Sequence, residues 1–174
     1  NRHDGYFAAI RNWQKRRNGW DFDQSLMSWS LGVVQSIYTM VQICTPVGGN
    51  VLIQTPVYSE FYDMTELGGR NVIENQFIEK DGQWVMDWDD FEEKLKIADL
   101  FLLCNPHNPL GFVWEKEDLK RMVDLCIQYH VPVFSDEIHS DLIFHGKKHI
   151  PTATVSEEAA NYVVTGISGT KTFN

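Results

Sequence analysis

Three residues in the second half of the sequence could do chemistry together. Asn108 lies in a proline-bounded turn, and Asp136 and Lys171 each follow an apolar run of the kind that forms a buried strand. An amide can donate a hydrogen bond, a carboxylate can pair with a cation, and a lysine amine can form a Schiff base with a carbonyl group. In this order along the chain, they predict a site for a carbonyl-containing cofactor.

The cofactor that these groups fit is pyridoxal phosphate. Lys171 would hold it as a Schiff base and is the predicted catalytic residue. Asp136 would pair with the protonated pyridine nitrogen, since a buried carboxylate without a partner is unfavourable. Asn108 would donate to the ring hydroxyl. Each residue also has a structural explanation: Asp136 could cap the next segment, Asn108 could only form its turn, and Lys171 could be an exposed loop residue.

Other residues would complete this site. The start of a helix offers free backbone N–H groups to the cofactor phosphate, and a nearby hydroxyl could contact the same phosphate. A tyrosine ring could stack on the heterocycle, and an imidazole could bond to the ring or support the acid. Taken singly, each of these has an ordinary structural role. The helix start is Gly32, Val33 and Val34, the hydroxyl is that of Ser168, the aromatic ring is that of Tyr58, and the imidazole is that of His139.

A metal site is not predicted. His145 and His149 flank a Gly-Lys-Lys segment, but no acid or cysteine stands at a convincing ligand spacing from them.

The elements that would position these residues alternate between helix-like and strand-like patterns. Such alternation predicts a three-layer α/β/α sandwich with a mostly parallel sheet. Ligands of these sheets bind beyond the carboxyl ends of the strands, and the candidate residues follow strand-like runs. The predicted strands are 26–30, 51–55, 71–77, 98–104, 131–135 and 162–167, with one more near Trp84, so that 71–77 and the Trp84 stretch flank the Asp81-Gly82 turn. The predicted helices are 6–17, 32–44, 61–67, 87–96 and 115–129.

Composition excludes several other functions. The chain has 174 residues and a formal net charge of −9, which argues against nucleic-acid binding. It contains no apolar run of the roughly 20 residues needed to span a bilayer. Its three cysteines lie in apolar contexts without CxxC spacing and predict free thiols in a reducing compartment. We therefore expect a cytoplasmic protein with a small-molecule substrate.

The chain resembles the fold-type I pyridoxal-phosphate enzymes, and within them the cystathionine β-lyase-like branch typified by MalY and PatB. The resemblance covers nearly the whole chain, with several separate motifs in the family's order. It implies that 1–174 is part of the cofactor-binding large domain, without the C-terminal small domain and an N-terminal segment. The motifs are RNWQKRRNGW, SLGVVQSI, VLIQTPVYSEF, LLCNPHNPLGFVW, VFSDEIHSDLIFHGKKHIP and SGTKTFN.

The resemblance also implies an activity. By position, Lys171 matches the Schiff-base lysine, Asp136 the acid on the pyridine nitrogen, and Asn108 the amide on the phenolic oxygen. The expected reaction is β-elimination, which cleaves S-substituted cysteines such as cystathionine to a thiol, pyruvate and ammonia in a homodimeric enzyme. His139 stands where many aminotransferases have tyrosine, which favours the lyase. The alternatives are a class I/II aminotransferase using the same residues and an inactive fragment that acts only by binding.

Overall fold

The computed structural model describes residues 4–173, and a parallel sheet forms their centre. The strands are β1 Asn50–Thr55, β2 Asn71–Gln76, β3 Ile78–Lys80, β4 Gln83–Val85, β5 Leu100–Cys104, β6 Val133–Asp136 and β7 Val163–Gly166. Five of them form the main sheet in the order β2-β1-β5-β6-β7, and every neighbouring pair is parallel. Strands β3 and β4 form a separate antiparallel hairpin.

Seven α-helices connect or flank these strands within the described residues. They are α1 Asp4–Asn18, α2 Val33–Cys44, α3 Glu60–Leu67, α4 Trp88–Leu95, α5 Lys116–Gln128, α6 Glu157–Tyr162 and α7 Thr170–Phe173. Helix α5 shows why they form: Leu119, Met122, Val123 and Cys126 recur at helical spacing, and all four are buried. Asp87 begins α4 as predicted, because its carboxylate accepts a hydrogen bond from the Asp90 backbone N–H at 3.1 Å.

Alternation along the strands divides the core into two layers. In β5, Leu100 and Leu102 pack with α2 and α3 on one face of the sheet, whereas Phe101 and Leu103 pack with α4 and α5 on the other. A strand covered on both faces is apolar at every position, as β5 is. The predicted α/β/α sandwich with a mostly parallel sheet is therefore confirmed.

One predicted strand is wrong. Residues 26–30 are not in a strand, and a short 3-10 helix occupies Gln24–Leu26 instead. The carboxylate of Asp23 accepts a hydrogen bond from the Ser25 backbone N–H at 2.8 Å, a local bond that competes with strand pairing. Leu26 is 77% exposed, so its apolar character is not used by the core. Gly32 consequently follows an extended loop, not a strand.

The predicted turn between β3 and β4 is present. Asp81 and Gly82 have φ angles of 52° and 75°. A two-residue hairpin turn with positive φ at both positions favours this Asp-Gly pair, because glycine carries no Cβ and aspartate tolerates the left-handed region.

The strand register brings the ends of the central strands to one level. Cys104 of β5 is the partner of Asp136 in β6, and Asp136 is the partner of Gly166 in β7. The chain segments that leave these three strands therefore begin at the same edge of the sheet. Within residues 4–173, every helix is too short or too polar to cross a lipid bilayer.

Candidate active site

Asp136 is the acid at the centre of this edge. It is the last residue of β6 and only 5% exposed, and its Oδ1 accepts a hydrogen bond from the Ile138 backbone N–H at 3.1 Å. Burial raises the pKa of this carboxyl from 3.8 to about 6, although the Ile138 hydrogen bond and the positive charge of Lys171 act in the opposite direction. Asp136 is therefore a buried acid that would be stabilised as a carboxylate by a cationic partner.

Lys171 lies close enough to this acid to act on it electrostatically. It is the second residue of α7, a single helical turn that begins after the three-residue segment 167–169 leaving β7, and its side chain is exposed. The pKa of the half-buried His139 is lowered mainly by burial, and the charge of Lys171 lowers it further. The charge of Lys171 thus acts on both Asp136 and His139, and the roles assigned to these three residues from the sequence stay predictions.

Asn108 and Tyr58 come from two other loops at the same edge. The Tyr58 backbone N–H donates to the carbonyl of Asn108 at 3.1 Å, so the loops after β1 and β5 are joined. The backbone N–H of Asn108 points to Sγ of Cys104 at 3.3 Å. Burial raises the pKa of the Tyr58 hydroxyl, and the negative charges of Glu60 and Asp136 raise it further. The charge of Asp136 thus acts on the Tyr58 hydroxyl.

The start of α2 lies beside the end of β7. A Cβ built on Gly166 would be 3.2 Å from Cγ1 of Val33, the first residue of that helix. Val33 is buried in the core and Val34 half-buried, whereas Gly32 is exposed. Because the first N–H groups of a helix have no intrahelical acceptor, this terminus can hold an anion. Gly32 thus reaches the edge through the packing of α2, not by following a strand.

Ser168 is also at this edge, and its hydroxyl oxygen contacts the turn that follows. Its Oγ is 3.0 Å from Oγ1 of Thr170 and accepts a hydrogen bond from the Thr170 backbone N–H at 3.2 Å. Ser168 therefore stabilises the start of the turn that carries Lys171.

Two groups that hold this edge together escaped the sequence analysis. Directly after Asp136, the buried Glu137 pairs with His149 at 2.7 Å, which accounts for this histidine without a metal. Asp141 accepts hydrogen bonds from Trp13 and Thr172, which are far apart in sequence. An acid beside a buried acid was a usable signal for the first group. No sequence signal links the members of the second.

Together these residues offer a buried carboxylate for a cationic ring nitrogen, an amine for a carbonyl carbon, an aromatic face and a helix start for an anion. Among residues 4–173, no three His, Cys, Asp or Glu side chains are grouped so as to hold a metal ion. The arrangement can thus hold a flat, anionic, carbonyl-containing molecule.

Comparison with known proteins agrees with this geometry. The sequence is 44% identical over 168 residues to the cystathionine beta-lyase PatB of Bacillus subtilis, covering 95% of this chain and 43% of that protein. It is 30% identical to MalY of Escherichia coli, covering 99% of this chain and 44% of MalY. The chain thus spans less than half the length of these relatives.

Solved structures show the same fold. Cystalysin from Treponema denticola, which contains pyridoxal 5'-phosphate, matches the entire chain with a TM-score of 0.96 and 33% identity, over 45% of its own length. A pyridoxal-phosphate-bound putative aminotransferase from Clostridium difficile matches it with a TM-score of 0.97 and 39% identity, also over 45%. The family model for aminotransferase class I and II matches residues 6–174. The chain therefore belongs to the class I and II aminotransferase family.

Proposed function

We propose that this chain is part of the cofactor-binding large domain of a pyridoxal-phosphate-dependent carbon–sulfur lyase. The enzyme would cleave S-substituted cysteines such as cystathionine to a thiol, pyruvate and ammonia. The observation that carries the cofactor assignment is the burial of Asp136 within electrostatic reach of the Lys171 amine. The relatives carry the choice of reaction, because the 44% identical PatB and the 30% identical MalY cover nearly all of this chain and PatB is a cystathionine beta-lyase.

The residues present fit pyridoxal phosphate. Asp136 would pair with the protonated pyridine nitrogen, which would offset the unfavourable burial of its charge. Lys171 would bond to the carbonyl carbon on the opposite side of the ring. The ring of Tyr58 is 38% exposed and available for stacking, and Asn108 and His139 would contact the ring oxygen. The N–H groups of Gly32, Val33 and Val34, with Ser168, would contact the phosphate.

The chain's own residues would then move one proton and hold one charge. When bound, pyridoxal phosphate supplies the electron sink that lets an amino acid lose its Cα proton and then a thiol from Cβ, so that hydrolysis leaves pyruvate and ammonia. The Lys171 amine would take the Cα proton of the substrate. Asp136, kept away from water, would hold the ring nitrogen protonated throughout.

We also propose a homodimeric assembly and a cytoplasmic location. The three cysteines, Cys44, Cys104 and Cys126, are all free thiols, which fits a reducing compartment. For the buried Cys104, burial raises the pKa of the thiol to about 12, so it would not compete with Lys171 as a nucleophile.

An aminotransferase is the second candidate. The family is that of class I and II aminotransferases, and the human kynurenine–oxoglutarate transaminase 3 is 28% identical over 83% of this chain. Both reactions begin with removal of the Cα proton and use the same residues. They differ in where the proton returns, so product analysis separates them.

The test is to supply full-length protein with pyridoxal phosphate and cystathionine and to measure pyruvate with a lactate dehydrogenase assay. Pyruvate release that is lost in Lys171→Ala and kept in Lys148→Ala, a change at an exposed lysine, supports the lyase. Amino-group transfer to an added oxo acid without pyruvate rejects it in favour of the aminotransferase. No product and no borohydride-trapped cofactor on Lys171 would favour a protein that acts only by binding.

A further inference from the structure

The carboxylate of Asp141 joins three elements next to the candidate site. The indole Nε1 of Trp13 in α1 donates to both of its oxygens, at 2.9 Å to Oδ1 and 3.1 Å to Oδ2. The hydroxyl of Thr172 in α7 donates to Oδ2 at 3.2 Å, and Nε of Arg17 lies 3.8 Å from Oδ1. The side chain is only 9% exposed. Asp141 is thus a largely buried acceptor for donors from both ends of the chain.

Hydrogen-bonded turns connect Asp141 to Asp136 on one side. Between them the backbone forms consecutive turns, in which Ser140 N–H donates to the Glu137 carbonyl at 3.0 Å and Leu142 N–H to the His139 carbonyl at 2.9 Å. The position of Asp141 is therefore set in part by the segment that leaves β6.

On the other side, Asp141 is bonded to the residue directly after Lys171. Thr172 and Phe173 both donate their backbone N–H groups to the Gly169 carbonyl, at 3.2 and 2.8 Å, and so form the single turn of α7. A turn of this length is not stable by its own hydrogen bonds. Its place must be set by contacts to the rest of the protein.

Apolar packing holds this turn incompletely. The rings of Trp13 and Phe173 meet edge to face at 5.2 Å. Beside them, however, a cavity of about 310 Å³ separates α1 from the segment 167–173, with Tyr6, Ile10 and Ile167 in its walls. A cavity removes packing contacts. The orientation of α7 therefore depends more on the directional hydrogen bonds of Asp141 than it would if the space were filled by side chains.

We propose that Asp141 is a positioning residue that sets the place of Lys171 relative to Asp136. The proposal rests on the proposed function, in which these two groups contact opposite ends of one cofactor. In this proposal Asp141 is not itself a catalytic residue. It acts on one side through Thr172 and on the other through the turns from Glu137 to Leu142.

The first test needs no cofactor. Hydrogen exchange of the Thr172 and Phe173 amides is measured in the full-length apo protein. We expect protection to fall at least tenfold in Asp141→Ala and several-fold in Thr172→Val. Thr172→Ser, which keeps the hydroxyl, and Asp124→Ala, a change at a half-exposed acid of α5, should leave it unchanged. Unaltered exchange of both amides in Asp141→Ala and in Thr172→Val would overturn the proposal.

The second test measures how fast Lys171 captures pyridoxal phosphate, by borohydride trapping at timed intervals and peptide mass analysis. We expect capture to slow at least tenfold in Asp141→Ala and several-fold in Thr172→Val, with Thr172→Ser restoring the rate. Equal rates in wild type, Asp141→Ala and Thr172→Val would refute the positioning role of Asp141 and leave the proposed function standing. No adduct on Lys171 in the wild type would refute the proposed function itself, and the Asp141 proposal with it. Thr172→Val keeps the test decisive if Asp141→Ala does not fold.

Discussion

Nε2 of His149 lies 2.7 Å from Oε2 of Glu137, and both side chains are 1% exposed. The other carboxylate oxygen of Glu137 accepts hydrogen bonds from the Thr152 backbone N–H at 2.8 Å and the Ser135 hydroxyl at 3.0 Å. The residue next to Asp136 is therefore bound at both oxygens. This network ties the segment 149–152 to the end of β6 and fixes the main chain that carries Asp136.

Removing Glu137 should therefore be strongly destabilising. Glu137→Ala leaves the Thr152 amide, the Ser135 hydroxyl and His149 without this partner, and we expect the free energy of unfolding to fall by about 3 kcal/mol or more. Urea unfolding measures this difference. The control is Asp124→Ala, which breaks a half-exposed ion pair with Lys120 and should change stability by about 0.5 kcal/mol or less. Similar losses in the two variants would contradict a structural role for the buried pair.

The burial of Asp136 predicts a pH dependence in the absence of cofactor. Its pKa rises from 3.8 to about 6 on folding, so between these values the folded protein binds more protons than the unfolded chain. The contribution of this group to stability is then fully present below about pH 4 and is lost as pH rises through about 6. At about 1.4 kcal/mol per pH unit, the loss reaches up to about 3 kcal/mol.

Asp136→Asn isolates this effect, because asparagine keeps an acceptor for the Ile138 amide and carries no charge. The apo variant should gain stability relative to the wild type as pH rises from 4 to 7, while losing affinity for pyridoxal phosphate. Urea unfolding at several pH values gives the difference between the two proteins, which cancels the titration of other groups. A difference that does not change with pH would show that Asp136 is not held in an unfavourable ionised state.

Much of this architecture could be predicted from the sequence, because helices and strands with one or two buried faces carry a regular apolar pattern. The apolar run of β5 and the helical spacing of Leu119 and Met122 in α5 are examples. The pattern failed at 26–30, where apolar residues lie in an exposed segment and a local Asp23 bond determines the backbone. Apolar character alone does not reveal whether a neighbouring strand is available for pairing.

Some residues of the candidate site could likewise be predicted from the sequence, and others could not. Asp136 and Lys171 could be proposed from residue type and from their places after apolar runs, and in the folded protein the charge of Lys171 acts to lower the pKa of Asp136. The contact of Trp13 with Asp141 joins residues 128 positions apart and follows from no local pattern. Such contacts depend on how helices are packed at the edge of the sheet, which single residues do not specify.

The proposed stacking role of Tyr58 gives a third prediction. Its backbone N–H holds Asn108, and a side-chain substitution leaves that bond in place. Tyr58→Leu removes the aromatic face and should weaken pyridoxal phosphate binding about 2- to 13-fold, which corresponds to about 0.5–1.5 kcal/mol. Tyr58→Phe keeps the ring and should bind within about twofold of the wild type. Equilibrium dialysis gives both dissociation constants, and equal weakening in the two variants would point to the hydroxyl instead.

Gly166 gives the fourth prediction, because it determines how closely α2 approaches the sheet. A Cβ at this position would lie 2.6 Å from Cζ of Phe134 and 3.2 Å from Cγ1 of Val33. Phe134 is fully buried, so any shift of its ring disturbs the packing around it. Gly166→Ala should therefore displace the start of α2, lower the free energy of unfolding by about 1–3 kcal/mol and reduce affinity for the cofactor phosphate.

Gly5→Ala in α1 is the matched control, since the space around that position is open. Alanine is favoured over glycine in a helix, so this change should leave stability unaltered or raise it by up to about 1 kcal/mol. Adding Phe134→Leu to Gly166→Ala should recover part of the lost cofactor affinity, because the smaller side chain vacates the space that the new methyl group needs. If Gly166→Ala and Gly5→Ala have the same free energy of unfolding and the same cofactor affinity, the close packing of α2 against β7 does not determine the position of the proposed phosphate site.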